Sequence, residues 1–567
     1  MSLIVAGAIA SWQAWNLAII PSGIVFVVSV VSWALLRRLK SFHVQASANA
    51  RLCEWYECAI ARLDGKWQGQ GNRGEDFFRE EHPYQADLNI FGDGSIFELL
   101  ATTRSAAGAE RLAAYLLDPT DIASMRARQA AVAELLPQTE LRESVALAGS
   151  CAFQGCDARA LRNWLKAPVL EIVTVIPALL CLTSTCSLTL GILTLVGLLT
   201  LHSTLPVLLP ALLIQAVIGL AFMRRVRPVL DGISSLAGEF AVLKDGLAVI
   251  GSQNFRSEKL RALVEAIGPD AVSHLSALQR LLGACEQRRK DVLYQFSFFL
   301  CLGTQLALAI ERWRGRFGID LLRWLNAWAE FEAMNAIACY AFEHPSHVFP
   351  QIVEGRAPNF QVSNLGHPLL PASICVTNDL CLDSETAFCL VSGSNMAGKS
   401  TWLRAVGLAT VLAAAGAPVC ATSARLSLFT LCASISVVDS LASGKSKFLA
   451  EVERLRITIR TAQHDPPVLF LVDEILSGTN SADRRQVGES VLDALISAGA
   501  VGLLSTHDSA LIALAELPRL RGRNVHMGSE NPDDPLDFDN RLKPGPVRHT
   551  NALAISRMVG IPTSLDR

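Results

Sequence analysis

Two long stretches of the chain are almost free of charged side chains. Residues 3–36 contain none, and the C-terminal part of this run alone is long enough to span a bilayer as a helix. Residues 168–223 hold Glu171 as their only formal charge, which allows two helices with a turn at His202–Pro206. The pattern predicts an N-terminal transmembrane anchor at residues 1–40 and a transmembrane helical hairpin at residues 168–223.

Basic side chains predict how both stretches are oriented in a membrane. The cations that follow the first and flank the second are Arg37, Arg38, Lys40, Arg159, Arg162, Lys166, Arg224, Arg225 and Arg227. Positive charge stays on the cytoplasmic side of a membrane, so both ends of the hairpin are expected there. A signal peptide is disfavoured because no basic residue precedes the first stretch. Two alternatives remain: a helical hairpin bent near Pro21 in the first stretch, and a buried soluble hairpin for the second.

Leucine, alanine and phenylalanine recur at helical spacing on both sides of the second stretch. Residues 84–137 show this pattern in SIFELLATTRSAAGAERLAAYLLDP and RQAAVAELL. Leu321–Phe342 predicts a helix that leads into the C-terminal region, and Phe296–Ile310 predicts a core helix, with membrane insertion as the alternative. We therefore expect an all-α core and lever domain in two parts, residues 41–167 and residues 224–350.

Short apolar runs alternate with a helical pattern in residues 351–567. The runs have the length and composition of buried parallel strands and are Phe388–Val391, Val468–Val472 and Val501–Leu504. A helical pattern, Ser400–Ala415, follows the first run and stops at Gly416. Strands that alternate with helices form a parallel sheet, so this region is predicted to be an α/β domain.

The loop between the first of these strands and its helix has a phosphate-binding pattern. Gly393, Gly398, Lys399 and Ser400 complete G-x-x-x-x-G-K-[ST]. The glycines let backbone N–H groups wrap phosphates, and the helix N-terminus adds partial positive charge. Lys399 supplies a point charge to the β and γ oxygens, and the Ser400 hydroxyl can ligate Mg²⁺. The pattern predicts binding of a nucleoside triphosphate with Mg²⁺.

The next two strands end in groups suited to hydrolysis. Asp473 and Glu474 follow Val468–Val472 directly, and successive strand residues point to opposite sides. One carboxylate can therefore hold Mg²⁺ through water while the other orients the attacking water. His507 follows the next strand, where its imidazole can contact the γ-phosphate; a structural histidine is the alternative.

Composition narrows the class of protein. With 567 residues, 51% hydrophobic and only 18% charged, the chain has room for several domains and is more apolar than a typical soluble protein. Its net charge of −2 offers no global basic field of the kind that duplex-binding proteins show. The 14 cysteines are scattered without a C-x-x-C pair, so no metal site other than one for Mg²⁺ is expected.

Residues 360–562 resemble the ATPase domain of the MutS mismatch-repair family, a branch of the ABC-type ATPases. GSNMAGKST is similar to that family's loop G-P-N-M-G-G-K-S-T, and few other P-loop families place Asn-Met there. DEILSGTNSADR resembles its D-E-x-x-x-G-T-[ST]-x-x-D, STHDSAL resembles its [AS]-T-H segment, and DSLASGKSKFLAEVERL resembles its signature. Residues 84–137 are similar to the start of its helical core. The predicted fold is therefore an α/β P-loop ABC-type ATPase domain plus an all-α core with transmembrane helices.

The resemblance implies roles for individual residues. The nucleotide loop would consist of Gly393, Ser394, Asn395, Met396, Ala397, Gly398, Lys399, Ser400 and Thr401. Ser400 and Asp473 would hold Mg²⁺, and Glu474 would be the general base, assisted in catalysis by Lys399 and His507. Two ATPase domains enclose the nucleotide in this family, so Gly444 and Ser446 would reach the site of the partner subunit and Asp483 would face that subunit. The expectation is a homodimer that uses ATP and Mg²⁺.

The sequence also departs from the family. Ile374 and Cys375 stand where the family has an aromatic residue before a segment like VTND, which implies weak stacking on the nucleotide base. Ser394 and Ala397 replace the proline and glycine of the family's loop, at positions that the phosphate-binding pattern leaves free. The mismatch-recognition and clamp domains of the repair proteins have no match in the sequence.

Three functional classes follow. The leading expectation is a membrane-anchored ATPase, in the inner or plasma membrane if the source is bacterial, whose cytoplasmic ATPase domain moves helical levers. Its ancestry makes DNA a candidate partner. The first alternative is a nucleotide-gated membrane scaffold or partner-remodelling ATPase without a DNA role. The second is an ABC transporter component, which is disfavoured because further spanning helices and an L-S-G-G-Q signature are not found.

Overall fold

A computed structural model describes most of the chain. The described residues are 22–149, 164–165, 175–234, 236–288, 301–355, 357–394, 396–435, 447–476, 479–528 and 538–547. The first part of the predicted anchor, residues 1–21, and the start of the predicted hairpin, residues 168–174, lie outside this set.

The N-terminal 343 residues contain helices and no strand within the described residues. These helices are α1 (Ser22–Leu63), α2 (Ile96–Leu100), α3 (Ala106–Leu117), α4 (Ile122–Leu135), α5 (Thr139–Ala146), α6 (Val175–Leu195), α7 (Leu201–Ser234), α8 (Ala237–Gly251), α9 (Glu258–Ile267), α10 (Ala271–Arg288) and α11 (Leu302–Glu343). The amphipathic helices predicted in residues 84–137 are α2, α3 and α4. Their N-termini are capped by the side chains of Ser95, Ser105 and Asp121, which fixes where each helix begins.

The C-terminal part is the predicted α/β domain. Its elements are β1 (Gln351–Val353), β2 (Phe360–Leu365), β3 (Asn378–Leu382), β4 (Phe388–Ser392), α12 (Lys399–Ala415), β5 (Ser423–Ser427), β6 (Thr430–Ser434), α13 (Lys447–Thr461), β7 (Val468–Asp473), α14 (Ser481–Ser497), β8 (Val501–Thr506), α15 (Ser509–Ile512), β9 (Gly522–His526) and β10 (Lys543–Pro544). The three predicted strands are β4, β7 and β8, and the predicted helix is α12. These sequence predictions are confirmed to within two residues at each end.

The larger sheet brings the ends of three strands together. Its order is β10-β9-β4-β8-β7-β6, and β9, β4, β8, β7 and β6 pair in parallel. The register places Ser392 of β4 opposite Thr506 of β8, and Asp473 of β7 opposite Ser505 of β8. Because parallel strands end at the same edge of a sheet, the loops after β4, β7 and β8 form one site. A smaller sheet, β1-β5-β2-β3, flanks this domain.

Helix α11 connects the helical region to the α/β domain. It is 42 residues long, about 63 Å at 1.5 Å per residue, and β1 follows a few residues after its end. The predicted helix Leu321–Phe342 and the described part of Phe296–Ile310 therefore belong to one element rather than two. The charged residues between them do not break the helix, because Arg314 pairs with Glu311 at 2.6 Å in a buried contact.

The predicted hairpin is formed by α6 and α7, but its turn differs from the prediction. The turn lies at Val196–Thr200, and His202–Pro206 belongs to the first two turns of α7. Gly197 ends α6 in the left-handed conformation, with Leu198 N–H donating to Leu193 C=O and Gly197 N–H to Thr194 C=O. This is a Schellman C-cap, which glycine favours. Pro206 removes only one helical hydrogen bond near the start of α7.

Two predicted domain boundaries fall inside continuous helices. Helix α1 runs through the boundary at residue 40, and α7 runs through the boundary at residue 223. At its C-terminal end α1 is attached to α11, because Arg62 Nε donates to Glu343 Oε2 at 2.8 Å in a pair that is largely buried. The apolar segment at the start of α1 is therefore joined rigidly to the helical core.

Candidate nucleotide site

The nucleotide loop follows β4 and surrounds the amino group of Lys399. This side chain is buried and donates to the backbone oxygens of Gly393 and Ser394 at 2.9 and 2.8 Å. Burial lowers the pKa of Lys399, and the carboxylates of Glu474 and Asp473 oppose that shift. The amine thus occupies the centre of the loop at the N-terminus of α12, where phosphate oxygens would be favoured.

Glycine in the nucleotide loop allows the C-terminal segment, residues 538–547, to approach the loop closely. Gly398 has φ 88°, and a Cβ at this position would lie 2.7 Å from Asn540 Oδ1. Asn378 at the start of β3 holds that segment, because its side chain donates to Asn540 O at 3.0 Å and accepts from Leu542 N–H at 2.7 Å. The sequence comparison includes Asn378 in the VTND segment without a role and does not single out Asn540, because the contact between the two joins positions more than 160 residues apart.

The Ser400 hydroxyl and the Asp473 carboxylate are in direct contact. Ser400 Oγ donates to Asp473 Oδ2, and Ser505 Oγ donates to Asp473 Oδ1. Ser505 therefore fixes the orientation of the carboxylate, a role that the sequence did not reveal because it depends on the register of β7 and β8. One hydroxyl and one carboxylate side by side are the protein ligands expected for Mg²⁺, which takes its other ligands from phosphates and water.

Glu474 and His507 form the second pair of the site. His507 Nδ1 lies 3.0 Å from Glu474 Oε1, and both side chains are partly exposed at the sheet edge. The backbone of Glu474 has φ 53°, and its N–H donates to Ser505 O at 3.1 Å. A carboxylate oriented by an imidazole at the rim of a phosphate loop is suited to positioning a water molecule.

The Ser400–Asp473 contact described above fits a Mg²⁺ ion that is bound together with a nucleotide. Within the described residues, no group of three or more His, Cys, Asp or Glu side chains could hold a metal ion on its own. A Mg²⁺ site that takes most of its ligands from nucleotide phosphates and water needs fewer than three such side chains. The residues present therefore fit Mg²⁺ bound together with ATP, and the geometry of that complex is not part of the structure.

Comparison with known proteins identifies this domain. Residues 389–566 match the family model of MutS domain V. This part of the chain is therefore similar to domain V of the MutS family. MutS domain V is the ATPase domain of these proteins, so the nucleotide site described above is that of a MutS-family ATPase domain.

Individual relatives show the same relationship. The DNA mismatch repair protein MutS of Thermus aquaticus is 37% identical over 188 residues, which are 33% of this chain and 22% of that protein. The MutS of Lactobacillus delbrueckii is 33% identical over 212 residues, 36% of this chain and 24% of the relative. The MutS of Streptococcus sanguinis is 27% identical over 333 residues, 58% of this chain and 37% of the relative. The chain thus spans about a quarter to a third of the length of the curated relatives that it matches.

The remaining residues expected from the MutS resemblance fall into three groups. Ser394 and Ala397 lie in the nucleotide loop, where Met396 is exposed, and Thr401 lies in the first turn of α12. Asn395, Gly444 and Ser446 lie outside the described residues, so their assignments stay predictions. At the predicted base pocket, Ile374 is 63% exposed and Cys375 is half-buried, which provides no aromatic surface at these two positions.

The loop that would face a partner subunit is also well defined at its end. Asn480 caps α14: its Oδ1 accepts from Asp483 N–H at 2.9 Å, and its Nδ2 donates to Asp483 Oδ2 at 2.7 Å. Asp483 is exposed in the first turn of α14. A surface carboxylate held in this way is available to a second copy of the domain.

Proposed function

We propose that this protein hydrolyses ATP with Mg²⁺ at a site shared by two copies of the chain, and that it does so while anchored in a membrane. The observation that carries the proposal is the convergence of three strand ends. Lys399, the Ser400–Asp473 contact and the Glu474–His507 pair lie at one edge of one sheet. Hydrolysis of a nucleoside triphosphate requires these three functions together.

Phosphate binding follows from the nucleotide loop. The amine of Lys399 exchanges its two carbonyl acceptors, Gly393 O and Ser394 O, for phosphate oxygens, which are stronger acceptors because they are charged. Backbone N–H groups at the start of α12 add further donors. Ser400 and Asp473 would hold Mg²⁺, which would neutralise negative charge on the phosphates.

Glu474 is the group that acts on water. Its carboxylate can accept a proton or a hydrogen bond from a water molecule, and His507 at 3.0 Å holds the carboxylate at the rim of the loop. Neighbouring Asp473 is held by Ser400 and Ser505 and is therefore committed to the metal. The two adjacent carboxylates thus have different roles, as the sequence predicts.

The helical core is in direct contact with the parts of the domain that bind nucleotide. Asp87 of the core is buried, and its carboxylate accepts from Arg454 of α13 at 2.8 Å and from Ile435 N–H at 2.8 Å. Its backbone oxygen accepts from Arg404 of α12 at 3.0 Å. Residues 436–446, which include the predicted signature, connect Ile435 to α13. Movement of α12 or α13 would therefore displace the core, which supports lever movement driven by nucleotide.

The exposed apolar helices support a membrane location. Two helical segments, Ala178–Leu195 and Leu201–Phe222, are long and apolar enough to cross a bilayer, and most of their residues are not buried by the rest of the protein. Polar groups inside this hairpin bond to one another, since Gln215 Nε2 lies 3.4 Å from Ser187 Oγ. Gln305 near the start of α11 donates to Ser184 at 3.0 Å. Both glutamines thus donate to serine hydroxyls of α6, and hydrogen bonds within the protein lower the cost of placing polar groups in lipid.

Steady-state ATPase activity tests the proposal. We expect Mg²⁺-dependent turnover by the detergent-purified protein, and we expect Glu474→Gln to lower kcat by about 100-fold or more while ATP binding persists. Glu489→Gln, which changes a surface carboxylate on α14, is the matched control and should retain wild-type turnover. Turnover that is absent in the wild type, or that survives Glu474→Gln, would reject the assignment.

The same assay separates a DNA partner from a membrane partner. Turnover is measured with homoduplex, mismatched and branched DNA, and with lipid vesicles. We expect no response to any DNA, because the net charge of −2 provides no global basic field. Stimulation by one particular DNA structure would instead place the protein among DNA sensors and contradict this part of the proposal.

A further inference from the structure

One arginine spans the loop between the catalytic carboxylate and α14. Arg484 lies in the first turn of α14, and its guanidinium folds back onto the loop that contains Glu474. Nε donates to Leu476 O at 3.1 Å, and Nη2 donates to Thr479 O at 3.0 Å. Both ends of this loop are therefore fixed to the same planar group. An arginine can do this because its donors are arranged in a rigid fork.

The same guanidinium also holds the loop that carries His507. Arg484 Nη1 donates to Asp508 Oδ2 at 3.2 Å, and the two side chains are only 11% and 10% exposed. Asp508 is itself fixed, because its other oxygen accepts from Ala510 N–H at 2.9 Å as the cap of α15. Its N–H donates to Thr506 Oγ1 at 3.0 Å. The residue next to His507 is thus anchored on three sides.

These contacts close a ring around the catalytic pair. Glu474 and His507 touch at 3.0 Å, and Arg484 joins the loops that follow each of them. The loop needs such support, because Glu474 and Leu476 have φ 53° and 52°, a conformation that side-chain-bearing residues adopt only when their surroundings hold them. Glu451 of α13 holds the other polar atom of Leu476, accepting its N–H.

We propose that Arg484 is the positioning residue of the catalytic pair: it fixes Glu474 and His507 relative to each other by bonding to the backbone after one and to the carboxylate after the other. The inference rests on the ATPase function proposed above and adds to it a determinant of the chemical step. The family pattern D-E-x-x-x-G-T-[ST]-x-x-D ends at Asp483, one residue before Arg484, so the resemblance assigns this arginine no role.

The proposal makes a specific kinetic prediction. Arg484→Lys retains the charge but cannot place three donors in one plane, so both loops lose a fixed attachment. We expect kcat to fall by roughly tenfold to a hundredfold, as small displacements of a catalytic group produce. The nucleotide loop lies on a different strand, so the Kd for ATP with Mg²⁺ should stay within about threefold of wild type.

Arg485 provides the matched control. It is the next residue on α14 and is exposed, so Arg485→Lys makes the same chemical change outside the ring. Its kcat and Kd should equal those of the wild type. Equal kcat values for the Arg484→Lys and Arg485→Lys proteins would overturn the positioning role. Parallel losses of kcat and of ATP-binding capacity in Arg484→Lys would also overturn it, because they indicate a loss of folded protein.

A double-mutant cycle tests the connection to His507. Asp508→Asn removes the charge that Arg484 meets, and Arg484→Gln removes the fork. If both act through the same ring, the double variant should lose little more kcat than the worse single variant. Multiplicative losses would contradict the ring. A wild-type protein without Glu474-dependent turnover rejects the ATPase function itself, so that result is distinct from a failure of this inference.

Discussion

The polar side chains of the nucleotide site are bonded to one another. Lys399 donates to two carbonyls of its own loop, Ser400 to Asp473, and His507 contacts Glu474. Every group that would act on ATP is therefore oriented by a protein contact that a nucleotide, a metal ion or a water molecule can take over. Preorganisation of this kind reduces the rearrangement required when the substrate binds.

Ser400 offers a direct test of the metal role. Ser400→Ala removes the hydroxyl next to Asp473 and should lower Mg²⁺-dependent kcat by about 100-fold, while Ser400→Thr keeps the hydroxyl and should stay within a few-fold of wild type. Turnover is measured across an Mg²⁺ titration. An alanine variant with the Mg²⁺ dependence of the wild type would contradict the assignment of Ser400 as a ligand.

Sequence motifs predict the acting residues of this site, but not the residues that support them. Lys399, Asp473 and Glu474 occupy fixed places in local patterns, so the sequence alone predicts their roles. Ser505 and Arg484 act across strands or loops, and their roles follow only from the order β4-β8-β7 and its register. No pattern confined to one segment of the chain contains that information.

At the level of helices, α11 and α3 are joined by a buried carboxylate. Glu332 of α11 accepts from the N–H groups of Arg104 and Ser105 at 2.7 and 3.1 Å, and from the Ser105 hydroxyl, at the N-terminus of α3. Burial raises the pKa of Glu332 to about 7, against the opposing effect of these hydrogen bonds. The contact between the two helices therefore includes a group that titrates near neutral pH.

The sign of its effect on stability follows from linkage. The folded protein binds this proton more tightly than the unfolded chain, so the stabilisation is full below about pH 4.5 and is lost as the pH rises towards 7. The loss is on the order of 3 kcal/mol. Glu332→Gln cannot titrate, so its melting temperature should fall less between pH 5 and pH 8 than that of the wild type.

Glu330, two residues earlier, is the control of opposite sign. Burial raises its pKa, but hydrogen bonds from Lys259 and Tyr115 outweigh burial and the pKa is lowered. Its stabilisation is therefore present above about pH 4.5 and lost only as the pH falls below that value, so Glu330→Gln should destabilise by nearly the same amount at pH 5 and at pH 8. Melting curves at the two pH values check both variants. An identical pH dependence in wild type and Glu332→Gln would contradict the raised pKa.

The sequence predicts helices and strands correctly where hydrophobic periodicity determines them. It predicts them incorrectly where contacts between distant residues determine them. Strands β4, β7 and β8 and helix α12 have clear apolar patterns and were found. The apolar patterns Phe296–Ile310 and Leu321–Phe342 predict two separate helices, because Glu311 and Arg312 end the first apolar run. In the structure Glu311 and Arg314 are buried as a pair and continue the helix. The turn of the hairpin was placed at Pro206, although Gly197 provides the helix C-cap.

Across the whole molecule, three helices connect apolar segments to the helical core and the ATPase domain. Helix α1 carries exposed apolar side chains between Ile24 and Leu36 and ends at the Arg62–Glu343 pair. Helix α7 leaves the hairpin and continues to Ser234, and α11 packs against the hairpin through Gln305 and ends beside the ATPase domain. Composition predicted the apolar segments, but it could not predict that the same helices continue into the core.

Native cysteines can test the membrane location. Cys181 and Cys186 are exposed on α6, within or beside the first apolar span, and Cys53 is exposed on the polar part of α1. In intact membrane vesicles, a protein that retains only Cys186 should resist a charged maleimide, because the reagent and the thiolate are both excluded from lipid. A protein that retains only Cys53 should react in inside-out vesicles. Equal labelling of the two cysteines would contradict the membrane hairpin.

The central claim is that ATP is hydrolysed where two chains meet, and complementation tests it most directly. Glu474→Gln lacks the base and Ser446→Ala lacks the residue predicted to act on the partner's site. Each variant alone should be inactive. In a mixed dimer one site combines an intact Glu474 with an intact Ser446, so an equal mixture should recover about a quarter of the wild-type rate. A mixture as inactive as its two components would contradict a shared site.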